Sequence, residues 1–108
     1  MTLNETRRIE EDCYTNIIFD IVENGTVVGG CSIMVDEKSA YCERIDIDEE
    51  YRNNGYGTSA LNALSDMFGG IMVAPDNEDA RRLYERIGYE YEDESTPYID
   101  NGYGVYKI

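Results

Sequence analysis

Across residues 45 to 61, in the stretch IDIDEEYRNNGYGTSAL, the hydrophobic pattern changes period. Before it, AYCERIDID alternates as a strand does, with Tyr41, Glu43, Ile45 and Ile47 expected on one face and Cys42, Arg44 and Asp46 on the other. After it, Leu61, Leu64 and Phe68 recur at helix spacing, with Ala60 and Ala63 filling between them. A chain that switches in this way needs a sheet with helices packed on it. The junction itself carries Gly55 and Gly57. Glycine at a strand-to-helix turn serves either close packing or the exposure of backbone N–H groups that hold an anion at the helix start. The turn alone fits both.

The flanking segments supply the rest of an α+β, mixed α/β architecture. Two apolar runs, 16–22 and 26–35, are joined through Asn24-Gly25, a hairpin signal, and Asp36-Glu37-Lys38-Ser39 turns the chain into the strand at 40–47. Gly69-Gly70 stops the first helix. IMVA, within 70–74, reads as a short strand ended by Pro75, and Asp76 or Asn77 can cap a second helix with a stripe of Ala80, Leu83, Tyr84 and Ile87. Gly88 closes it. Strand candidates follow at 89–92 and 103–108, with an acidic, Pro-containing loop between them. The opening MTLNETRRIEED reads as a polar lead of about fifteen residues before the first clear strand.

At 108 residues the chain fits one domain, 1–108. Nine Lys and Arg stand against 23 Asp and Glu, a net charge of −14, which argues against direct nucleic-acid binding, favours basic partners and keeps the surface solvated. No apolar run spans a membrane, and no signal-peptide pattern opens the chain, so the cytoplasm is the expected location. Cys13, Cys31 and Cys42 are scattered, and without histidine there is neither a common zinc site nor a Ser-His-Asp or Cys-His nucleophile, so no metal is expected. Proton transfer falls to carboxylates, tyrosines, lysines, cysteine or water.

The segment Arg52-Asn53-Asn54-Gly55-Tyr56-Gly57-Thr58 lacks the third glycine of a dinucleotide-binding fingerprint and the Gly-Lys-Ser/Thr of a P-loop. Downstream, NEDARRLYERIGYEY sets Asn77, Ala80, Leu83, Tyr84, Gly88 and Tyr89 as N-x-x-A-x-x-L-Y-x-x-x-G-Y. Together the two segments resemble the GNAT superfamily of acetyl-CoA-dependent N-acetyltransferases, over roughly residues 16 to 92. The resemblance implies a mostly antiparallel sheet with one splayed strand pair, here 40–47 and 70–74, and two main helices. It implies that the backbone of Arg52, Asn53, Asn54, Gly55, Tyr56, Gly57 and Thr58 wraps the coenzyme pyrophosphate, where a helix start offers about half an elementary charge. Backbone groups of Ile45, Asp46 and Ile47 would meet the pantetheine and polarise the acetyl carbonyl, Asn77 would contact the coenzyme, and Tyr84 would protonate the departing thiolate.

The resemblance implies a ternary complex in which a primary amine, on a protein lysine, an N-terminus or a small cation, attacks acetyl-CoA directly. An ammonium has no lone pair, so a base is needed, and Glu43 on the strand beside the acetyl site is the candidate, with Asp46 and Asp48 behind it. Plain alternatives stand beside these roles. Glu43 also reads as a solvated strand carboxylate, and Tyr84 as one of ten tyrosines completing a helix stripe. Family members carry one or two helices between their first two strands, and the lead here is too short for them. The acceptor site is therefore open, or walled by another subunit, or shaped for a small cation. A homodimer is expected to form, if at all, through the final strand YGVYKI. The competing class is a non-catalytic GNAT-fold acidic module that acts by protein association.

Overall fold

Asn24 and Gly25, left-handed at φ 50° and 79°, close the hairpin between β2 (Thr15–Glu23) and β3 (Thr26–Val35), as their dipeptide signal requires. The computed structural model describes residues 1–92 and 105–108. The acidic, Pro-containing loop lies outside the described residues. At the far end of β3 the Asp36 carboxylate accepts from the backbone N–H of Lys38 and of Ser39, each at 2.8 Å, and so turns the chain into β4 (Ala40–Ile47). The Lys38 N–H is the main reason that the Asp36 carboxyl is held below the ordinary carboxylate range.

The polar lead is a strand. Thr2–Glu10 forms β1 and runs antiparallel to β2, with Leu3 opposite Ile21 and Ile9 opposite Asn16. This edge strand hides in the sequence because most of it is exposed and charged, which is how natural sheets discourage edge pairing, and because a bulge at Thr6 breaks its alternation. Only residues 11–14 join β1 to β2, closed by the Glu11 N–H on the Tyr14 carbonyl at 2.8 Å, so no helix stands between them.

Helix α1 (Tyr56–Phe68) follows a single turn of 3₁₀ helix at Glu49–Tyr51, and ends at Gly69 and Gly70, both at positive φ. It buries Ala60, Leu61 and Leu64 against three cross-strand rows of β2, β3 and β4, namely Ile17–Ile33–Cys42, Phe19–Cys31–Ile45 and Ile21–Gly29–Ile47. Phe68 meets Phe19 edge to face at 6.5 Å. Full burial of one such side chain, Leu64 for example, contributes about 1.5–3 kcal/mol.

Short β5 (Met72–Val73), helix α2 (Glu78–Arg86), β6 (Glu90–Glu92) and β7 (Val105–Lys107) complete a seven-stranded sheet in the order β1-β2-β3-β4-β5-β7-β6. All neighbours are antiparallel except β4 and β5. Helix α2 packs Tyr84 and Ile87 on the same face as α1, and the Tyr106 hydroxyl of β7 donates to Glu85 of α2 at 3.2 Å. The expected mixed, mostly antiparallel architecture is what forms. Of YGVYKI, the expected dimer strand, the described part is β7, which lies between β5 and β6 with Val105 and Tyr106 buried and so presents no free sheet edge. Its backbone groups are already taken.

Candidate active site

The sheet opens where β4 leaves β5. The two strands pair in parallel only at Tyr41–Met72 and Cys42–Val73, and from Glu43 to Ile47 β4 keeps β3 alone as its described partner. This is the expected splay, with the second strand shorter than 70–74. The backbone of Ile45, Asp46 and Ile47 therefore borders a gap.

The end of β4 is fixed from behind. Asp48 donates its N–H to the Val28 carbonyl at 2.8 Å, and the Arg52 guanidinium donates to the Ile47 carbonyl at 2.9 Å. Arg52 thus braces the strand end through its Nε–H. Gly29 allows the approach: a Cβ at this position would stand 2.2 Å from the Asp46 carbonyl oxygen. Sequence reading missed this glycine. Its only signal is Gly29-Gly30 inside a strand, where glycine marks close backbone contact.

Beyond the 3₁₀ turn, Asn53 is left-handed at φ 67°, and Gly55, at φ 76°, occupies the N-cap of α1 with no side chain capping the helix. Asn54 bonds back to the Tyr51 carbonyl at 2.9 Å and holds the turn, while Tyr56 packs toward the core. The first bond into the helix, Ser59 N–H to Gly55 carbonyl at 3.0 Å, starts after Thr58, so the amides of Tyr56, Gly57 and Thr58 point out of the helix start without a helical acceptor. Gly57 decides between the two meanings of glycine here. A Cβ on it would meet only Ile47 Cγ1, at an ordinary 3.8 Å, so packing does not require glycine and the bare backbone is free to receive a ligand. The same contact shows the helix start abutting the end of β4.

On the helix face of the gap, Tyr84 lies half-buried. Burial, with smaller contributions from Cys42, Asp76 and Tyr41, pushes its phenol up to about 12, so it holds its proton at neutral pH. Its ring is 5.6 Å from that of Tyr89, whose buried hydroxyl has no hydrogen-bond partner among the described residues. Asn77 caps α2, its side-chain oxygen accepting from the Ala80 N–H at 2.8 Å, which leaves its amide NH2 as the group for a ligand.

Glu43 is not where simple alternation puts it. The register slips between Ser32 and Ile33, so that Arg44 opposes Ser32 and Cys42 opposes Ile33, with Glu43 the extra residue of a bulge. Cys42, Ile45 and Ile47 consequently share the core face, and Glu43 turns to the outer face, where its carboxylate accepts from Asn16 at 3.2 Å. Asn16 in turn accepts from the Ser32 hydroxyl at 3.2 Å. The expectation that Glu43 shares the Ile45/Ile47 face is corrected, and the bulge is the reason. Tyr84 and Glu43 flank the sheet from opposite sides. Asp46 is exposed and paired to Arg44 at 2.7 Å, and Asp48 lies exposed past the strand end.

The site thus combines a split sheet, an uncapped helix start at the end of one lip and a protonated phenol on the helix face, groups suited to an extended ligand with an anionic end. The chain belongs to the GNAT family: the model of the acetyltransferase (GNAT) family matches residues 2–89. Solved structures share the fold. A GNAT-family protein of Bacteroides thetaiotaomicron superposes with a TM-score of 0.63 at 20% identity, over 85% of this chain and 59% of that one. A GNAT-family acetyltransferase of Elizabethkingia anophelis, solved with acetyl-CoA bound, gives 0.64 at 13% identity over 86% of this chain and 75% of that one. The ribosomal-protein-S18-alanine N-acetyltransferase of Escherichia coli gives 0.60 at 20% identity over 91% of this chain and 68% of that one. This chain thus spans 59% of the length of the Bacteroides protein. No curated protein matches the sequence. Among the described residues no helix is long and apolar enough to cross a membrane.

Proposed function

We propose that this chain transfers the acetyl group of acetyl-CoA to a primary amine, and that the amine belongs to a protein, as a lysine side chain or an N-terminus. The observation that carries the reading is the gap beyond Cys42, with the uncapped start of α1 against Ile47 at its end. The amides of Gly55 to Thr58 would hold the pyrophosphate, the exposed backbone of Ile45 to Ile47 the pantetheine and acetyl carbonyl, and the Asn77 amide the coenzyme. Acetyl-CoA supplies an activated thioester. Glu43 takes a proton from the acceptor ammonium, the freed nitrogen pair forms the new C–N bond, and Tyr84 gives a proton to the sulfur as the C–S bond breaks. Of the two protons that the ammonium loses, one replaces that of Tyr84 and the other leaves through Glu43 to solvent.

A protein acceptor is favoured by two facts. Residues 11–14 join β1 to β2 directly, leaving no helical wall there to enclose a small amine, and the net charge of −14 attracts a basic surface. The Escherichia coli neighbour, named for acetylating an alanine of a ribosomal protein, is consistent with this. Three free thiols, two of them buried, suit a reducing compartment such as the cytoplasm.

The test is calorimetric titration with acetyl-CoA, followed by mass spectrometry of poly-L-lysine and of a peptide with a free N-terminus after incubation with both. Micromolar binding and a 42 Da gain on either amine, about the mass of one acetyl group, support the reading. Binding without transfer to either would replace it with a module that uses the coenzyme site for association, and absence of binding by the folded chain would remove the coenzyme site altogether.

A further inference from the structure

The outer face of the sheet carries a chain of two hydrogen bonds, from Ser32 to Asn16 and from Asn16 to Glu43, across three strands. Asn16 lies on β2 and Glu43 on β4, with β3 between them. Neighbouring strands are about 4.8 Å apart, so side chains two strands away do not ordinarily touch. Asn16 Nδ2 nevertheless donates to Glu43 Oε2 at 3.2 Å. The reach is diagonal: Met34 stands opposite Asn16 and Tyr41 in their own row, but the next outward residue of β3, Ser32, is short, and the bulge sets Glu43 between these two rows.

Ser32 is only 8% exposed, and its hydroxyl donates to Asn16 Oδ1 at 3.2 Å. That bond fixes the amide. With its oxygen held by a hydroxyl, Asn16 presents its NH2 to the carboxylate, and Glu43 is gripped at Oε2, leaving Oε1 as the acceptor for an incoming N–H. A carboxylate that only solvates a strand needs no such support from a buried serine and an amide two strands removed.

We infer that Asn16 and Ser32 are positioning residues that hold the Glu43 carboxylate in place to accept the proton of the substrate ammonium. The inference rests on the reading of Glu43 as the base. Atoms balance as in that reading: the N–H proton goes to Glu43 Oε1, its bonding pair becomes the lone pair that forms the C–N bond, and the sulfur leaves with the C–S pair and takes the phenol proton.

The experiment compares wild type with Glu43→Gln, Asn16→Ala, Ser32→Ala and Ser32→Thr, using acetyl-CoA with poly-L-lysine and the free N-terminal peptide as probes. Turnover is expected to slow by about 10²-fold or more in Glu43→Gln, on the scale of lost general-base catalysis, and by about tenfold in Asn16→Ala and Ser32→Ala. KM for acetyl-CoA stays within about twofold, and Ser32→Thr, which keeps the hydroxyl, recovers the rate. A structural role alone would not separate kcat from KM or be rescued by threonine. A second readout needs no turnover: the Asn16 side-chain NH2 resonances should move in Glu43→Gln and in Ser32→Ala. Loss of activity in Glu43→Gln with wild-type turnover in Asn16→Ala and Ser32→Ala overturns the inference and leaves the base assignment standing. Wild-type turnover in Glu43→Gln, or no transfer to either probe, overturns both. Unmoved Asn16 resonances remove the hydrogen-bonded chain on which the inference stands.

Discussion

Gly29→Ala tests how the end of β4 is built. The added Cβ would stand 2.2 Å from the Asp46 carbonyl oxygen and 3.0 Å from Ile47 Cα, where ordinary contact begins at 3.4 Å. Relief requires β4 to move back by about 1.2 Å at Asp46, and neither atom is the end of a flexible side chain. The move stretches the 2.8 Å bond from Asp48 N–H to the adjacent Val28 carbonyl. Overpacking of this kind costs about 2–3 kcal/mol, which lowers Tm by roughly 10–15 °C in a domain of this size. It also displaces the backbone that borders the gap, so acetyl-CoA affinity should fall at least tenfold. Gly30→Ala is the internal control: its Cβ would meet the Phe19 carbonyl oxygen at 3.3 Å, which a shift of a tenth of an ångström relieves. Thermal unfolding followed by circular dichroism, and calorimetry with acetyl-CoA, read the two effects separately. Equal tolerance of alanine at 29 and 30 would refute the close approach of β3 to the end of β4.

Gly57→Glu should abolish acetyl-CoA binding in calorimetry while Gly57→Ala keeps the fold and at least part of the affinity, because a methyl meets Ile47 at 3.8 Å and only the carboxylate repels the pyrophosphate. Tyr84→Phe should slow acetylation by about 10²-fold or more at unchanged Tm, the aromatic packing being kept and the proton donor lost. Tyr89→Phe removes a buried hydroxyl that has no partner among the described residues, and should raise stability by about 1 kcal/mol in urea unfolding; destabilisation would mean that the hydroxyl is bonded. Thiol titration should find Cys13 reactive in the native protein and Cys31 and Cys42 only after unfolding. Burial pushes those two thiols up from an ordinary 9.0, Cys31 to about 11 and Cys42 to about 12. Their contribution is therefore whole below pH 9 and is lost as pH rises toward 12, so alkaline unfolding should shift to higher pH in Cys42→Ala relative to the stability of each protein at pH 7.

The sequence disclosed what depends on local chemistry. Asn24-Gly25, Gly69-Gly70, Asn77 and the change of period at Gly55 each act through their own backbone or the next turn, and each marks its element. It concealed what depends on pairing. β1 is a strand because β2 offers it a partner, and only Leu3 and Ile9 hint at it. The Glu43 bulge is a two-against-one mismatch between strands, so it cannot be seen in β4 alone, and a strict alternation puts the carboxylate on the wrong face. Gly29 owes its identity to Asp46, seventeen residues later in the chain. The side-chain oxygen of Asn77 is taken by its cap, and the Arg52 Nε–H by the Ile47 carbonyl, uses that a motif does not reveal. Motif positions were thus legible, and the direction in which their side chains act was not.

The bulge gives the proposed chemistry its geometry. A regular β4 would carry Glu43 with Ile45 and Ile47 into the core, where an unpaired carboxylate costs several kcal/mol. One extra residue turns it outward without disturbing the apolar rows on the other face. The same face on which α1 and α2 pack then keeps Tyr84 half-buried and protonated, as a donor must be. The proposed proton donor and proton acceptor thus lie on opposite faces of the sheet, which opens between β4 and β5 beyond Cys42. An amine entering from the outer face would meet the carboxylate before the thioester, and the sulfur would depart toward the phenol. With only residues 11–14 between β1 and β2, the approach to Glu43 is broad, and the solvent-excluding wall that a small amine would need is most simply brought by the acceptor protein.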